Sequence, residues 1–352
     1  MILTALLSLF ISFIITFFLT PPTINFLRAR GLIEDPRKKQ QKSGNATATR
    51  AVPRGGGLPL FLGVLIPCLI FLPLDKHLIG IIAAALITLA VGLVDDLFDL
   101  SPIFRLGTNI LSALVVVAAG IGIAYISNPF GGIINLSEPS VSFTLFGSSH
   151  SIWIISDLLA VIWITWCMNI VGWSSGVDGQ LPGFVAISAI FIGLLGLRYS
   201  TDTTQWPVIV LSLSVAGAYL GFLPFNFFPQ KIMPGYSGKS LAGFFLALLS
   251  ILSGAKLATL ILLLGVPMLD AIFVLSRRFL MGRSPFSPGS DHLHHFLLEK
   301  SWSRPQIALT YWLFSLCLGI ISLFLNSQQK FYFFIGITFL FFGITLKVLR
   351  RI

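Results

Sequence analysis

Long apolar runs alternate with short polar segments along almost the whole chain. A helix needs roughly 20 apolar residues to cross the hydrocarbon core of a bilayer, and about 17–25 are tolerated. The pattern therefore predicts an all-α polytopic integral membrane protein with one transmembrane domain over residues 1–352. The sixth and eighth runs are short and are expected to extend into their flanks or to pair closely with neighbours. The eleven predicted spans are 2–20, 58–74, 78–94, 109–126, 152–172, 184–197, 207–223, 240–252, 257–275, 307–325 and 331–349.

The composition supports a membrane location. Charged residues make up 10% of the chain and hydrophobic residues 55%, with a mean hydropathy of +0.92. A soluble domain usually carries about 25% charged residues. The chain has too few charges to cover a water-facing surface, which excludes an ordinary soluble enzyme, a disordered protein and a disulfide-stapled secreted domain. The predicted location is therefore the plasma or inner membrane of the cell, and nucleic acid is not a predicted partner.

The basic residues are divided unequally between the two sides of the predicted spans. Nineteen of the 23 Lys and Arg residues fall on one side and four on the other. Cytoplasmic segments carry an excess of Lys and Arg, so the N-terminus is predicted outside and the C-terminus in the cytoplasm. Most acidic residues and histidines share the cytoplasmic side, where five loops are predicted to form a site. These loops lie near 21–57, 95–108, 173–183, 224–239 and 276–306.

The second loop concentrates acidic residues at a predicted helix end. Asp95, Asp96 and Asp99 lie within five residues, although acids are scarce elsewhere. Carboxylates this close to hydrocarbon are costly, and like charges on one helix face favour a cation between them. Mg²⁺ suits oxygen ligands and usually bridges to a substrate phosphate. The alternative is a solvated helix terminus.

The first and fourth loops carry basic residues beside glycines. Arg54 precedes three glycines, and its loop is suited to attract anionic headgroups or phosphates, or simply to mark the cytoplasmic side. The fourth loop ends in Gly238-Lys239-Ser240 but lacks the spacing and the preceding strand of a P-loop, which excludes that motif. Lys239, at the start of a predicted helix, is placed to hold a phosphate.

The third and fifth loops complete the predicted site. Asp178 lies among four glycines, which suits a backbone cradle for a phosphate or nucleotide, or a flexible turn. The fifth loop follows Asp270 and contains His292, His294 and His295 within four residues. Histidines can bind phosphate or relay protons. A zinc site and an incidental surface cluster are the alternatives, although the spacing matches no common zinc signature.

Together the five loops resemble the polyprenyl-phosphate N-acetylhexosamine-1-phosphate transferases. This family includes the bacterial phospho-N-acetylmuramoyl-pentapeptide transferase and the undecaprenyl-phosphate GlcNAc-1-phosphate transferases. The resemblance extends from about Gly31 to Ser303, and the run that begins Asp291-His292 looks more like the GlcNAc-1-phosphate branch. It implies ten or eleven helices around a cytoplasmic cleft, a Mg²⁺ cofactor that Mn²⁺ can replace, and a homodimer. It also implies that a polyprenyl phosphate attacks a UDP-sugar, giving a polyprenyl diphospho-sugar and UMP for cell-wall or surface-glycan synthesis.

The resemblance implies a role for each matching residue. Asp95 would deprotonate or orient the lipid phosphate, with support from Asp96, and Asp178 matches a later acid of the family pattern. These three acids are the implied catalytic residues and metal ligands. The implied substrate-binding residues are Arg54, Arg105, Asn169, Asn226, Lys239, Asp270, His292, His294 and His295.

The chain departs from the family pattern at several of these positions. Gly172 stands where the family has Asn, Ser175 and Tyr236 where it has Asp, and Arg105 where it has Lys. The first three replacements remove oxygen or polar groups expected near the metal. Three hypotheses follow: an active sugar-1-phosphate transferase, a diverged relative that binds lipid phosphate or nucleotide with altered metal use or no turnover, and a transporter. A transporter would need ionisable residues in mid-span, where Asp157 is the only acid.

Overall fold

The computed structural model describes residues 1–37, 50–145, 148–198, 201–202, 205–254, 256–284 and 289–349. Five basic residues used for the predicted orientation lie outside the described residues: Lys38, Lys39, Lys42, Arg350 and Arg351. The helices are α1 Ile2–Ala29, α2 Gly57–Phe71, α3 Lys76–Phe98, α4 Pro102–Ala118, α5 Ile154–Trp173, α6 Gln180–Leu197, α7 Trp206–Asn226, α8 Gly235–Leu252, α9 Leu257–Leu263, α10 Gly265–Leu280, α11 Leu293–Glu299, α12 Arg304–Phe324 and α13 Ser327–Leu349. The strands are β1 Ile33–Glu34, β2 Val52–Pro53, β3 Tyr125–Ser127, β4 Ile133–Asn135, β5 Ser140–Leu145 and β6 Ser148–Trp153.

The helices form a bundle whose chain turns back and forth between two ends. We call the end where α1, α3, α5 and α7 finish and where α6 and α8 begin the near end, and the opposite one the far end. Helix α8 is central, because it packs against α2, α3, α5, α6 and α7 and 15 of its 18 residues are buried. Helix α1 is peripheral, with seven of its 28 residues buried. A helix that is apolar on its outer face suits a lipid surround.

Helix α1 packs against α7 through small residues. Ser8 Oγ donates to the carbonyl of Val210 at 3.2 Å, and Ser12 Oγ donates to the carbonyl of Ser214. Small residues allow close backbone approach where lipid and protein are equally apolar and burial gives little driving force. The buried small polar residues of α1 recur every four positions and are Ser8, Ser12, Thr16 and Thr20.

The number of membrane-capable helices is smaller than the predicted eleven. Among the described residues, seven helices are long and apolar enough to cross a membrane, or eight if one bent pair counts as a single span. The predicted spans 58–74 and 109–126 correspond to α2 and α4, which have only 15 and 17 residues. The predicted span 331–349 lies in α13, which is not among the seven. The short sixth and eighth runs do extend at their starts, to α6 and α8.

The predicted span 257–275 is broken. Helices α9 and α10 meet at Leu264 with a bend of 83°. Pro267 has no N–H to donate to the carbonyl of Leu263 four residues earlier, so the helix ends there. The hydroxyl of Ser315 in α12 donates to that carbonyl instead, at 3.1 Å. The freed backbone group is therefore satisfied within the protein, as a low-dielectric interior requires.

Short strands add to the helical bundle at both ends. Strands β1 and β2 pair antiparallel at the near end, while β3 with β4 and β5 with β6 form two antiparallel pairs between α4 and α5 at the far end. The far-end pairs lie over the helix ends, where Gln328 and Tyr332 of α13 donate to the carbonyls of Asn128 and Pro129.

Candidate functional site

The two adjacent acids of the second loop are the most enclosed charges at the near end. Asp95 and Asp96 lie in the last turn of α3, with side chains 0% and 2% exposed. Helix α3 ends at Asp99, whose left-handed φ of 53° closes the helix. Buried carboxylates are stable only when charge and hydrogen bonds compensate them. The partners of this pair therefore define the chemistry of the site.

Two arginines from different loops neutralise the acidic pair. The Arg54 guanidinium lies 2.9 Å from Asp96, 3.3 Å from Asp95 and 3.2 Å from Glu34. Arg105 Nε donates to Asp95, and its Nη2 lies 2.6 Å from Asp99. Burial of Arg54 works against its charge, but Asp96, Glu34 and Asp95 outweigh that effect and raise the pKa of the guanidinium. Arginines thus contact three of the four carboxylate oxygens of Asp95 and Asp96, and Arg54 also contacts Glu34. We call these five residues the arginine-bridged network: Glu34, Arg54, Asp95, Asp96 and Arg105.

The first turn of α8 supplies the remaining donors. The backbone N–H groups of Tyr236 and Ser237 and the Ser237 hydroxyl all donate to Asp96, the hydroxyl at 2.6 Å. The N-terminal N–H groups of a helix lack intrahelical partners and favour a nearby anion. This approach requires glycine at position 92 of α3, because a Cβ there would overlap the Ser237 backbone. Asp96 therefore fastens α8 to α3.

Tyr236 lies beside the acidic pair, and its ring and phenol contact residues other than the two carboxylates. The Arg105 guanidinium lies over the ring, 5.1 Å from its centroid. The phenol donates to Asn109 Oδ1 at 3.2 Å. A cation stacked on an aromatic face gains electrostatic attraction. Tyr236 thus orients Arg105, in the position where the resemblance leads one to expect a carboxylate.

The residues present do not fit the implied magnesium ion. All four oxygens of Asp95 and Asp96 accept hydrogen bonds from protein donors, and two of those donors are guanidinium groups. Asp178, the third implied ligand, bonds the backbone of Gln230 instead. Within the described ranges, no three His, Cys, Asp or Glu residues are grouped so as to hold a metal ion. Arginines thus occupy the carboxylates of Asp95 and Asp96 in this arrangement, and the metal role of Asp95, Asp96 and Asp178 that the resemblance implies stays a prediction.

The third and fourth loops are joined by an amide and an acid. Asn226 accepts from the N–H of Gly179 and donates to Gln230 Oε1 and to the carbonyl of Ile232. One Asp178 oxygen accepts from the N–H of Gln230 at 3.1 Å, and the other is buried with no hydrogen-bond partner among the described residues. Burial raises the pKa of Asp178. An unpartnered buried oxygen is costly, so it is the natural acceptor for a ligand hydroxyl or N–H.

The histidines of the fifth loop lie in a stack beside the third loop. Asp270 accepts from Nδ1 of His292 at 2.9 Å and from the N–H of Leu293 at 2.7 Å. The His292 ring is parallel to that of His294, with centroids 5.9 Å apart, and stacks on Trp173 at 6.2 Å. Since an ionised carboxylate only accepts, Asp270 keeps the proton on Nδ1 of His292 and leaves Nε2 as the acceptor of the ring.

His294 is buried directly against the third loop. A Cβ at Gly176 would overlap its ring, so the loop must have glycine there. Its Nδ1 is buried and has no hydrogen-bond partner among the described residues. Burial, together with repulsion from His295 and His292 in their protonated forms and from Lys239, holds the pKa of His294 well below its usual range. Lys239 of α8 therefore lies near the histidines.

Acid is expected to destabilise the folded protein through these rings. Burial, aided by His292, lowers the pKa of His295 to about 4, whereas an unfolded histidine titrates near 6.5. Between these values the unfolded chain binds the proton more readily, so the free energy of unfolding falls as the pH falls from about 6.5 towards 4. Thermal unfolding of the detergent-solubilised protein at pH 7 and pH 5 measures this. His295→Gln should flatten the dependence; an unchanged slope would contradict the assignment.

The near end thus connects residues of all five predicted loops. Loop one meets loop two through Arg54 and loop four through the N–H of Gly56, which donates to the carbonyl of Met233. Loop four meets loop two at Asp96 and loop three at Asn226, and loop three meets loop five at His294. Asn169 is not part of this network, since its amide donates to the carbonyl of Thr165 in its own helix.

Several residues of the site carry no separate signal in the sequence. Glu34 is part of the arginine-bridged network, Ser237 binds it, and Asn109 holds the Tyr236 phenol. Asn109 lies one helical turn after Arg105, a spacing that could have indicated a shared face. Gln230 follows Asn226 by four residues but lies beyond the end of α7, where no periodicity applies.

Comparisons with known proteins agree on one family. The sequence profile of glycosyl transferase family 4 matches residues 78–254, just over half of the chain. A decaprenyl-phosphate N-acetylglucosaminephosphotransferase of Mycobacterium tuberculosis is 28% identical, covering 90% of this chain and 82% of that protein. A probable undecaprenyl-phosphate N-acetylglucosaminyl 1-phosphate transferase of Bacillus subtilis is 29% identical, covering 82% and 77%. A phospho-N-acetylmuramoyl-pentapeptide-transferase of Halalkalibacterium halodurans is 27% identical, covering 91% and 97%.

Proposed function

The chain belongs to glycosyl transferase family 4, and on that premise we propose that it transfers N-acetylhexosamine-1-phosphate, with GlcNAc favoured, from a UDP-sugar to a polyprenyl phosphate. An oxygen of the lipid phosphate attacks the β-phosphorus of the UDP-sugar. The bond from that phosphorus to the bridging oxygen breaks, and UMP leaves. The observation that carries the proposal is the joining of five polar loops, with an acidic pair, two arginines and a histidine stack, at one end of a membrane bundle.

The basic side of the chain supports a cytoplasmic position for this site. The near end holds the predicted cytoplasmic loops, and α1 begins at the far end and finishes at the near end. From the excess of Lys and Arg we therefore propose that this multi-pass membrane protein has its N-terminus outside and its C-terminus and site inside, at the plasma membrane. Both substrates fit this position, since one is a soluble nucleotide sugar and the other a lipid.

The contacts of the acids assign them a positioning role. Both oxygens of Asp95 are already bonded, so this carboxylate holds Arg54 and Arg105 in place rather than removing a proton. The two guanidinium groups supply fixed positive charge for the phosphates that react, as phosphoryl transfer requires. His292, whose Nδ1 is held by Asp270, is the proposed base and would act through its Nε2. Asp178 offers its unpartnered oxygen to a hydroxyl or N–H of the nucleotide sugar.

The direct test uses the purified full chain with UDP-GlcNAc, a polyprenyl phosphate and Mg²⁺. Release of UMP together with a lipid-linked diphospho-sugar is expected. Absence of UMP release with every UDP-N-acetylhexosamine, in protein that still unfolds cooperatively, would overturn the proposal. UDP-GlcNAc binding without release would instead support the second candidate, a diverged relative that binds without turnover, which the arginine-occupied carboxylates favour.

A transporter function has less support. Asp157, the acid of the predicted mid-span, lies in the first turn of α5 at the far end. Its carboxylate accepts from the N–H of Trp153 at 3.0 Å, which is a helix-capping contact. It therefore does not lie halfway across the bilayer, where an ion-coupling residue belongs.

Metal chelation is expected to leave nucleotide-sugar binding nearly unchanged. Because guanidinium groups occupy the acidic pair, the dissociation constant of UDP-GlcNAc should stay within about twofold in EDTA and in Mg²⁺, a difference well below 1.4 kcal/mol. Calorimetric titration under both conditions measures it. The variant Gly172→Asn/Ser175→Asp/Tyr236→Asp restores the family pattern and should gain Mg²⁺-dependent binding. A wild-type affinity that collapses in EDTA would contradict this prediction.

A further inference from the structure

Three basic residues from separate parts of the chain meet at the far end of the bundle. Arg198 directly follows α6, Lys256 precedes α9, and Lys330 lies in the first turn of α13. The Lys256 ammonium is 3.5 Å from the carbonyl of Leu195, three residues before Arg198. Lys330 Nζ donates to Thr259 Oγ1 at 2.8 Å, within the turn that begins at Lys256. The three cations are therefore held by neighbouring helix ends.

Lys330 is the residue that makes this cluster unusual. It is 7% exposed, and its hydrogen-bond acceptor, the Thr259 hydroxyl, is neutral. Enclosing an ammonium group costs several kcal/mol unless an anion or a set of acceptors compensates it. Burial, and after it the charge of the nearby Arg198, lower the pKa of Lys256 to about 8.

Among the described residues, the cluster keeps a net positive charge. The carbonyls at the end of α6 suit Arg198 and Lys256, since the C-terminus of a helix attracts cations. Lys330 contacts a different helix, so this explanation does not extend to it. Asp202 is the acid closest to Arg198 along the chain, and counting it fully still leaves the cluster with more positive than negative charge.

We propose that Lys256, Lys330 and Arg198 bind a phosphate group at the far end of the bundle. Helix ends lie at the depth of lipid headgroups, where phosphate is the abundant anion, and Lys ammonium groups bind phosphate as compact charges. An anionic phospholipid and free phosphate both present this chemistry. Helix α8 separates the cluster from the near end by about 27 Å for its 18 residues. The site is therefore distinct from the transfer site and does not depend on the proposed function.

The experiment measures thermal unfolding of the full chain in neutral detergent with added phosphatidylglycerol, phosphatidylcholine or inorganic phosphate. Phosphatidylglycerol is expected to raise the wild-type Tm by a few degrees more than phosphatidylcholine, because ligands that bind only the folded state stabilise it. Lys256→Gln and Lys330→Gln should each lose at least about half of that difference, since each removes one of three charges. Lys330→Arg keeps the charge and should retain it.

Lys76→Gln is the matched control, because Lys76 is the fourth basic residue of the far end and is exposed at the start of α3. It should keep the full difference. An equal rise with inorganic phosphate would identify the soluble anion, not the lipid, as the ligand of the same site. The proposal is overturned if neither phosphate source stabilises the wild type, or if Lys256→Gln behaves like Lys76→Gln. The Lys256→Gln comparison decides alone if Lys330→Gln fails to fold.

Discussion

Replacing Asp96 with Asn is expected to lower sugar-phosphate transfer at least about 10²-fold, because it breaks a buried charge pair and releases the electrostatic groups that hold phosphate. Asp96 accepts from Arg54, from the Ser237 hydroxyl and from two N–H groups of α8. An amide in its place turns an NH₂ towards one of these donors and leaves Arg54 with less compensating charge. The measurements are UMP release and Tm on the same preparation.

Asp99→Asn is the matched control for this change. Asp99 also pairs with an arginine, Arg105, at 2.6 Å, but its side chain is 49% exposed. Exposed ion pairs contribute about 0–1 kcal/mol, so transfer should change by no more than about threefold. Equal effects of the two substitutions would show that burial of Asp96 does not matter, and wild-type transfer in Asp96→Asn would remove the arginine-bridged network from the mechanism.

Gly176→Ala is expected to have the second largest effect, a loss of transfer of about tenfold to a hundredfold, as expected when a site is displaced by about 1 Å. The added methyl group would overlap the His294 ring, which is fully enclosed and cannot turn aside freely. Either the ring or the third loop must move, and Asp178 follows Gly176 by only two residues. Initial rates with UDP-GlcNAc, and Tm, would register the displacement.

Two further variants separate this overlap from a general effect of alanine in the loop. A Cβ at Gly172 meets no described atom within 4 Å, so Gly172→Ala should remain within about twofold of the wild type, as unstrained surface changes do. In a His294→Ala background, Gly176→Ala should add little, because contacting residues are not additive. An additive loss in the double variant would argue against the overlap as the cause.

The sequence predicts the membrane location, the five loops and the family, and the family match confirms the last of these. The membrane location and the loops can be predicted because the length of an apolar run and the charge of a loop are local properties of the sequence. The break in 257–275 is missed for the same reason. Pro267 does not interrupt the apolar run in the sequence, but it lacks the backbone N–H that would continue the helix.

The arrangement of the acidic pair could not be predicted from the sequence. The contact between Asp96 and the Ser237 hydroxyl joins residues 141 apart, and Arg54 reaches Asp95 across 41 residues. Neither sequence separation corresponds to the period of a helix or a strand. The sequence shows three acids and favours a cation among them, and the Mg²⁺ ion it indicates stays a prediction. The cations that the structure places there are guanidinium groups, and Tyr236 stacks beneath one of them where an acid was expected.

The seam between α1 and α7 has a consequence for synthesis. Its hydroxyl-to-carbonyl bonds connect residues 202 positions apart, so α1 leaves the ribosome long before its partner exists. At about 5–20 residues per second, this interval is roughly 10–40 s. During that time Ser8 and Ser12 lack their α7 acceptors, whereas Thr16 can already donate to the carbonyl of Pro59 in α2. The first helix to be made therefore starts to pack early, on α2, but completes its packing only after α7 has been inserted.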